Sequence, residues 1–179
     1  MSKILVTGAA GFLGKSVSEY FSDKGHEVFS LTRKDLDVTS KDQVADWFAK
    51  NEVDFVIHTA VKGGRRNEYD GFSDYVANIK MFENLFENKH RFSMMFHFAS
   101  GAEFDRKNHI NCFEEGRIFD SMPEDFYGLS KNMIARKIVK HKTNIYNFRL
   151  FGCFGKHEED NRLLKILSKG IKKQSDTFI

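Results

Sequence analysis

The chain has 179 residues, enough for one well-cored domain and too few for two, with 41% hydrophobic and 30% charged residues as in soluble globular proteins. Its formal net charge is +3, and the basic residues are interspersed with acidic ones. That argues against nucleic acid as the main partner, because phosphate-backbone binding needs a clustered basic face. A single Pro and the lack of a Gly/Ser-rich tract leave no linker, and no apolar run approaches the roughly 20 residues of a membrane span. Cys112 and Cys153 have no paired spacing and read as free thiols of a reducing compartment. With a strand at the N-terminus in place of a signal peptide, a cytoplasmic protein is expected.

Strand-like and helical patterns alternate along the chain. Short apolar runs rich in Val, Ile and Phe predict strands at 3–7, 27–32, 54–59, 94–99 and 144–150. Helical spacing predicts helices at 12–24, 41–50, 69–89 and 125–141, with Gly25 as the left-handed residue ending the first and Ser40 as N-cap of the second. The 19 Phe are read as core filler, and the basic stretch from Lys165 to Lys173 as a solvated helix face or an anion site. Alternation of this kind predicts an α/β fold, a Rossmann-type doubly wound parallel sheet with right-handed crossovers and helices on both faces. The polar, irregular stretch 101–124 follows the fourth strand, at the sheet edge where such folds carry their site.

Thr7-Gly8-Ala9-Ala10-Gly11-Phe12-Leu13-Gly14 follows the first strand and opens the first helix. Gly8 permits a sharp turn, Gly11 lets the backbone approach a pyrophosphate, and Gly14 allows the helix to pack closely on the strand. Phe12 and Leu13 begin the helix, whose free N–H groups and positive end face the anion. With a strand before it and a helix after it, the turn points to a dinucleotide.

The spacing is Gly-x-x-Gly-x-x-Gly, and Thr-Gly-x-x-Gly-Phe-Leu-Gly resembles the opening of the extended short-chain dehydrogenases, the group of nucleotide-sugar epimerases, dehydratases and reductases. At the end of the second strand Thr32 stands where NAD enzymes often carry Asp. Arg33 beside it could pair with the 2′-phosphate of NADP or be a surface residue, so NADP(H) is favoured and NAD(H) stays open. By the same resemblance Asp37 accepts from the adenine amino group and Val38 offers its backbone, unless the former is simply a loop residue. His58, Thr59 and Ala60 resemble the His-x-Ala-Ala segment that lines the cofactor, and the Val61-Lys62-Gly63-Gly64 run that follows is similar to one in GDP-fucose synthases.

Tyr127 and Lys131 lie one helical turn apart and project from one face. Tyrosine ionises near pH ~10, and a neighbouring ammonium favours its phenolate. Taken alone, a Tyr-x-x-x-Lys pair in a Lys-rich chain is a coincidence of a helix face; after the glycine turn and fourth strand, it resembles the family's proton-transfer pair. The resemblance implies Ser100, four residues before Phe104, as the donor to the substrate oxygen. Lys131 would also bind the nicotinamide ribose. Asn78 matches an Asn often found in the preceding helix, as structural support or a surface amide.

Departures from the family narrow the chemistry. Gly101-Ala102 replace the acidic pair of the 4,6-dehydratases, and Ala102 also replaces the Cys of GDP-fucose synthases, which disfavours dehydration and 3,5-epimerisation. In Arg149-Leu150-Phe151-Gly152-Cys153-Phe154-Gly155, Gly152 replaces a substrate-holding Asn and Phe154 a Tyr. The resemblance therefore implies reduction of a 4-keto nucleotide-sugar, with NAD-dependent 4-epimerisation and a non-catalytic dinucleotide-binding module as alternatives. Residues 1–170 are expected to form the Rossmann domain and 171–179 to begin the connection to a substrate lobe outside this chain. The resemblance implies a homodimer, or a partner chain that supplies that lobe.

Overall fold

The computed structural model describes residues 1–65, 68–105, 114–120 and 122–175. Cys112 and the C-terminal Thr177-Phe178-Ile179 lie outside the described residues, as does much of the irregular stretch after the fourth strand. Five strands, β1 (Lys3–Thr7), β2 (Glu27–Leu31), β3 (Phe55–His58), β4 (Met94–Ser100) and β5 (Ile145–Leu150), form one parallel sheet in the order β2-β1-β3-β4-β5. Helices α1 (Phe12–Asp23), α2 (Lys41–Lys50), α3 (Phe72–Glu87), α4 (Phe126–His141) and α5 (Leu163–Ser175) complete the order of elements. This is the Rossmann-type sheet expected from the sequence.

Period-two alternation sends the side chains of each strand to two different cores. On one face Leu5, Val56, Met95 and Ile145 pack against Val44 and Phe48 of α2, Phe82 and Leu85 of α3, and Ile134 and Ile138 of α4. On the other, Ile4, Val6 and Ile57 pack against Val17 and Phe21 of α1. Phe fills both cores, although the expectation that it is core filler holds only in part: Phe148, Phe151 and Phe154 are exposed. Phe96 and Phe148 stack on the α1 side of the sheet with ring centroids 5.6 Å apart.

Local signals set most of the boundaries. Gly25 adopts φ +80° after α1, and the Ser40 side chain accepts from the Gln43 N–H at the start of α2. Asp125 caps α4 by accepting from the Gly128 N–H at 2.7 Å. The third helix starts later than its periodicity suggests, at Phe72, because the Asp70 carboxylate accepts from the Gly64 N–H at 2.7 Å and Asp74 accepts from the Gly71 N–H at 2.9 Å. Those bonds hold residues 68–71 as loop. Helix α5 runs through residue 170, so the expected boundary there falls inside an element. Lys169 of that helix is exposed and pairs with Asp160 at 2.8 Å, as a solvated face would. No helix among the described residues is long and apolar enough to cross a membrane.

From β1 the chain moves outward to β2, then crosses back over β1 to β3 on its other side. The carboxyl ends of β1 and β3 therefore diverge at a topological switch point, where doubly wound sheets open a crevice.

Candidate active site

A cleft of ≈ 900 Å³ lies at that switch point, lined by the turn after β1, the loops after β2 and β3, and Tyr127 of α4. Its floor is the glycine turn. Gly8 has φ +75°, and a Cβ there would stand 2.6 Å from the Ala60 nitrogen. A Cβ on Gly14 would stand 2.3 Å from the Gly8 carbonyl oxygen. The two positions thus bring the α1 N-terminus and β3 against the same turn. No side chain caps α1 at Gly11, and its first turn holds no acidic residue. The positive end of the helix opens into the cleft beside Gly11, Phe12 and Leu13, a ready site for a phosphate.

The loop after β2 forms one rim. Asp35 is turned back on Thr32, accepting from its N–H at 2.9 Å and its hydroxyl at 2.7 Å, and these bonds hold its carboxyl below the usual range. Arg33 projects outward, 76% exposed, and meets Asp37 at 3.4 Å. One oxygen of Asp37 accepts from the N–H and hydroxyl of Thr39, which with Arg33 lowers its pKa against the opposing effect of burial. The Val38 carbonyl accepts from Asn84 at 2.8 Å. Thr59 and Ala60 form the opposite wall.

His58 does not reach that wall. It shares a 2.7 Å hydrogen bond with the Thr7 hydroxyl and lies against His97 with ring centroids 5.2 Å apart, in a register row that continues to Asn147. Its strand position turns the ring to the face covered by α3 and α4, and burial pushes its pKa down to about 3. His97 is lowered for the same reason.

At the far end of the cleft stands Tyr127. Lys131 lies beneath its ring, with Nζ 5.9 Å from the ring centroid and donating to the Phe98 carbonyl at 2.8 Å. Burial pulls its pKa down to about 8, with Glu103 opposing the fall. Ser100 ends β4, and its hydroxyl oxygen accepts from the Ala102 N–H at 3.2 Å, which leaves the hydroxyl proton available to donate. The 3₁₀ turn Gly101–Glu103 that follows packs on the start of α4: a Cβ on Gly128 would stand 2.6 Å from the Ala102 carbonyl oxygen. Asn132 of α4 also donates to the Glu103 carbonyl at 2.8 Å. Tyr127 lines the cleft, whereas Lys131, on the same helix, and Ser100, at the start of the turn bonded to that helix, are not among its lining residues.

Two features had only faint sequence signals. Gly63 and Gly64 both have positive φ and carry the loop after β3 against Tyr127. Asn78, completely enclosed, holds that loop by bonding both backbone groups of Lys62 and reaches the Ser130 hydroxyl at 3.1 Å. It is the support that the sequence allowed and not a surface amide. Glu158, Glu159 and Arg162 also line the cleft, and Glu159 pairs with Arg65 across it at 3.6 Å.

A model of the NAD dependent epimerase/dehydratase family matches residues 4–177. GDP-L-colitose synthase of Yersinia pseudotuberculosis is 32% identical over 85 residues, which are 46% of this chain and 28% of that protein. ADP-L-glycero-D-manno-heptose-6-epimerase of Thiobacillus denitrificans is 26% identical over 175 residues, covering 87% of this chain and 52% of that protein. Among solved structures, a GDP-D-glycero-L-gluco-heptose synthase from Campylobacter jejuni, crystallised in the presence of NADPH, superposes with a TM-score of 0.80 at 22% identity. That match covers 94% of this chain and 54% of the synthase, so the chain spans about half the length of such relatives.

Proposed function

The chain belongs to the NAD dependent epimerase/dehydratase family, and on that premise we propose that it is an NADP(H)-dependent oxidoreductase that reduces the 4-keto group of a nucleotide-linked sugar. The observation that carries this reading is a single cleft with the uncapped start of α1 at one end and Tyr127 at the other. Gly8, Gly11, Phe12 and Leu13 would hold the pyrophosphate, and Arg33 the 2′-phosphate. Asp37 and Val38 would border the adenine, and Thr59 and Ala60 the middle of the dinucleotide. The fit rests on the glycine cradle, which added side chains would fill, and on Asp35 being folded away onto Thr32. NADPH in the crystallised heptose synthase agrees with it.

When bound, the reduced nicotinamide supplies a hydride. The chain's own residues manage the proton and the charge. Tyr127 donates its phenolic proton to the sugar oxygen as negative charge grows there. Lys131, still mostly an ammonium at neutral pH, stabilises the phenolate left behind. Ser100 donates a hydrogen bond to the same oxygen. Ala102 is buried and apolar where a dehydratase needs an acid, which supports simple reduction. A nucleotide-sugar substrate, a cytoplasmic setting, and a homodimer or partner chain completing the substrate lobe belong to the same proposal.

The test is Tyr127→Phe, assayed by NADPH consumption with 4-keto derivatives of GDP- and dTDP-sugars. Turnover is expected to fall by at least about 100-fold with NADPH affinity unchanged. Undiminished turnover would remove Tyr127 from the mechanism; absent turnover in the parent, with NADPH bound, would favour a cofactor-binding module.

A further inference from the structure

The reaction proposed above leaves one buried charge cluster unused. Glu103 is completely enclosed, and its carboxylate takes hydrogen bonds from Arg149 and Asn147 of β5. Burying such a pair costs several kcal/mol per ion before its attraction is counted, so its place beside Ser100 and α4 calls for a role beyond cohesion. Lys131 is equally enclosed, and the hydrogen bond that fixes its Nζ is to a neutral carbonyl. An ammonium held only by a carbonyl in an apolar surrounding tends to shed its proton.

The groups packed about Lys131 decide its charge. From β3 and β4 come His58 and His97, both kept neutral by burial. From α4 comes the Tyr127 ring. From the turn after β4 comes Glu103, the anion that opposes the effect of burial on Lys131. Arg149 does not cancel that anion, because its guanidinium is shared: it also meets Glu115 at 3.0 Å, and that carboxylate is 79% exposed. One guanidinium between two carboxylates leaves the cluster a net negative charge when both are ionised; burial pushes the Glu103 pKa up, and Arg149, Asn147 and Lys131 oppose that rise. Glu103 also ties the pieces together mechanically. Its carbonyl accepts from Asn132, the residue after Lys131, while its own turn begins at Ser100.

We propose that Glu103 is a positioning residue for Lys131: the Glu103–Arg149–Glu115 cluster is the buried counter-charge that keeps the lysine an ammonium beneath Tyr127 and fixes the Ser100 turn to its helix. The proposal rests on the role given to Lys131 above. Its readout is independent of turnover, because it is measured without cofactor or substrate.

The full chain carrying ¹³Cε-lysine is titrated by NMR, with the Lys131 resonance assigned by its disappearance in Lys131→Arg. The parent midpoint is expected at about 8. In Glu103→Gln it falls by about one pH unit, and in Glu103→Asp, which restores the charge, it returns towards the parent value. Should Glu103→Gln fail to fold, Glu115→Gln, a substitution at the exposed end of the cluster, is expected to lower the midpoint in the same direction by a smaller amount. A Lys131 midpoint unmoved by the charge-removing variant that folds would overturn the proposal.

Discussion

Gly64 and the ring of Tyr127 are packed so closely that a Cβ on Gly64 would stand 2.6 Å from Cε2 of the ring. The backbone there also has φ +72°, a conformation that costs a side-chain-bearing residue about 1–2 kcal/mol. Gly64→Ala is therefore expected to displace Tyr127 as well as strain the loop. Displacements of this size cost about 100-fold in rate. The expected pattern is a large loss of turnover with little loss of NADPH affinity, measured by fluorescence titration. Gly63→Ala makes the control: its Cβ would meet the Asp70 carboxylate and not the tyrosine, so stability should suffer more than rate. Equal losses of rate in the two variants would contradict the assignment.

The contrast between Gly8 and Gly64 explains what was legible in the sequence. Gly8, Gly11 and Gly14 act within one short segment, so their spacing between a strand and a helix announced the cradle, and Tyr127 with Lys131, one helical turn apart, could be read once that cradle and the fourth strand stood before them. Gly64 matters because of a tyrosine distant in sequence, and Asp70 delays α3 because it is drawn to Gly64. Neither effect leaves a periodic trace. The Glu103–Arg149 pair joins residues 46 apart in sequence, from the turn after β4 to β5. Nothing in the local sequence marks Glu103 as buried. His58 is a different case. Its ring sits on the same side of β3 as buried Val56, and strand parity alone would have turned it from the cleft towards α3.

Asn78 offers a test of the loop's anchoring. It bonds the N–H of Lys62 at 2.8 Å and its carbonyl at 2.9 Å, both on the path to Gly63 and Gly64. Asn78→Ala removes both of these part-buried bonds, at about 0.5–1.5 kcal/mol each. A urea titration should show the midpoint falling accordingly, with turnover falling alongside it. Asn78→Asp keeps the acceptor for the Lys62 N–H and loses the donor, so it should lie between the parent and the alanine variant. A midpoint unchanged in Asn78→Ala would mean the loop is held elsewhere.

The two buried histidines make stability depend on pH in an unusual direction for this residue. In the fold His58 titrates at about 3, against 6.5 for an ordinary histidine, and His97 is also held well below that value. Between those pH values the unfolded chain binds protons that the folded chain refuses. Stability is therefore highest above 6.5 and declines as pH falls through that value. Each histidine contributes about 1.4 kcal/mol per pH unit once the unfolded side chain is protonated. Over the interval from about pH 7 to about pH 5 the loss is roughly 2 kcal/mol for His58, and His97 adds to it in the same direction. His97→Leu, which keeps the site filled and removes one titrating group, should make that acid-side slope shallower. A parent protein equally stable at both pH values would show that the rings take up protons without unfolding.

Arg33 carries the choice between the two dinucleotides. It stands at the cleft rim, 76% exposed, and its contact with Asp37 at 3.4 Å is long and readily exchanged for a better one. A phosphate dianion would be a stronger partner for the guanidinium than a carboxylate already bonded to Thr39. Reversing the charge with Arg33→Asp removes that partner and adds repulsion, so NADPH affinity is expected to fall by about 10- to 100-fold, the scale of a charge-assisted hydrogen bond. NADH carries no 2′-phosphate, and its affinity should stay within about threefold of the parent's because an exposed residue contributes little otherwise. Calorimetric titration of both proteins with both cofactors reads the difference directly. A parent that prefers NADH would overturn the NADP(H) assignment, whereas an Arg33→Asp variant that binds NADPH as well as the parent does would assign the 2′-phosphate contact to another residue of the β2 loop, with Lys34 the nearest remaining cation in sequence.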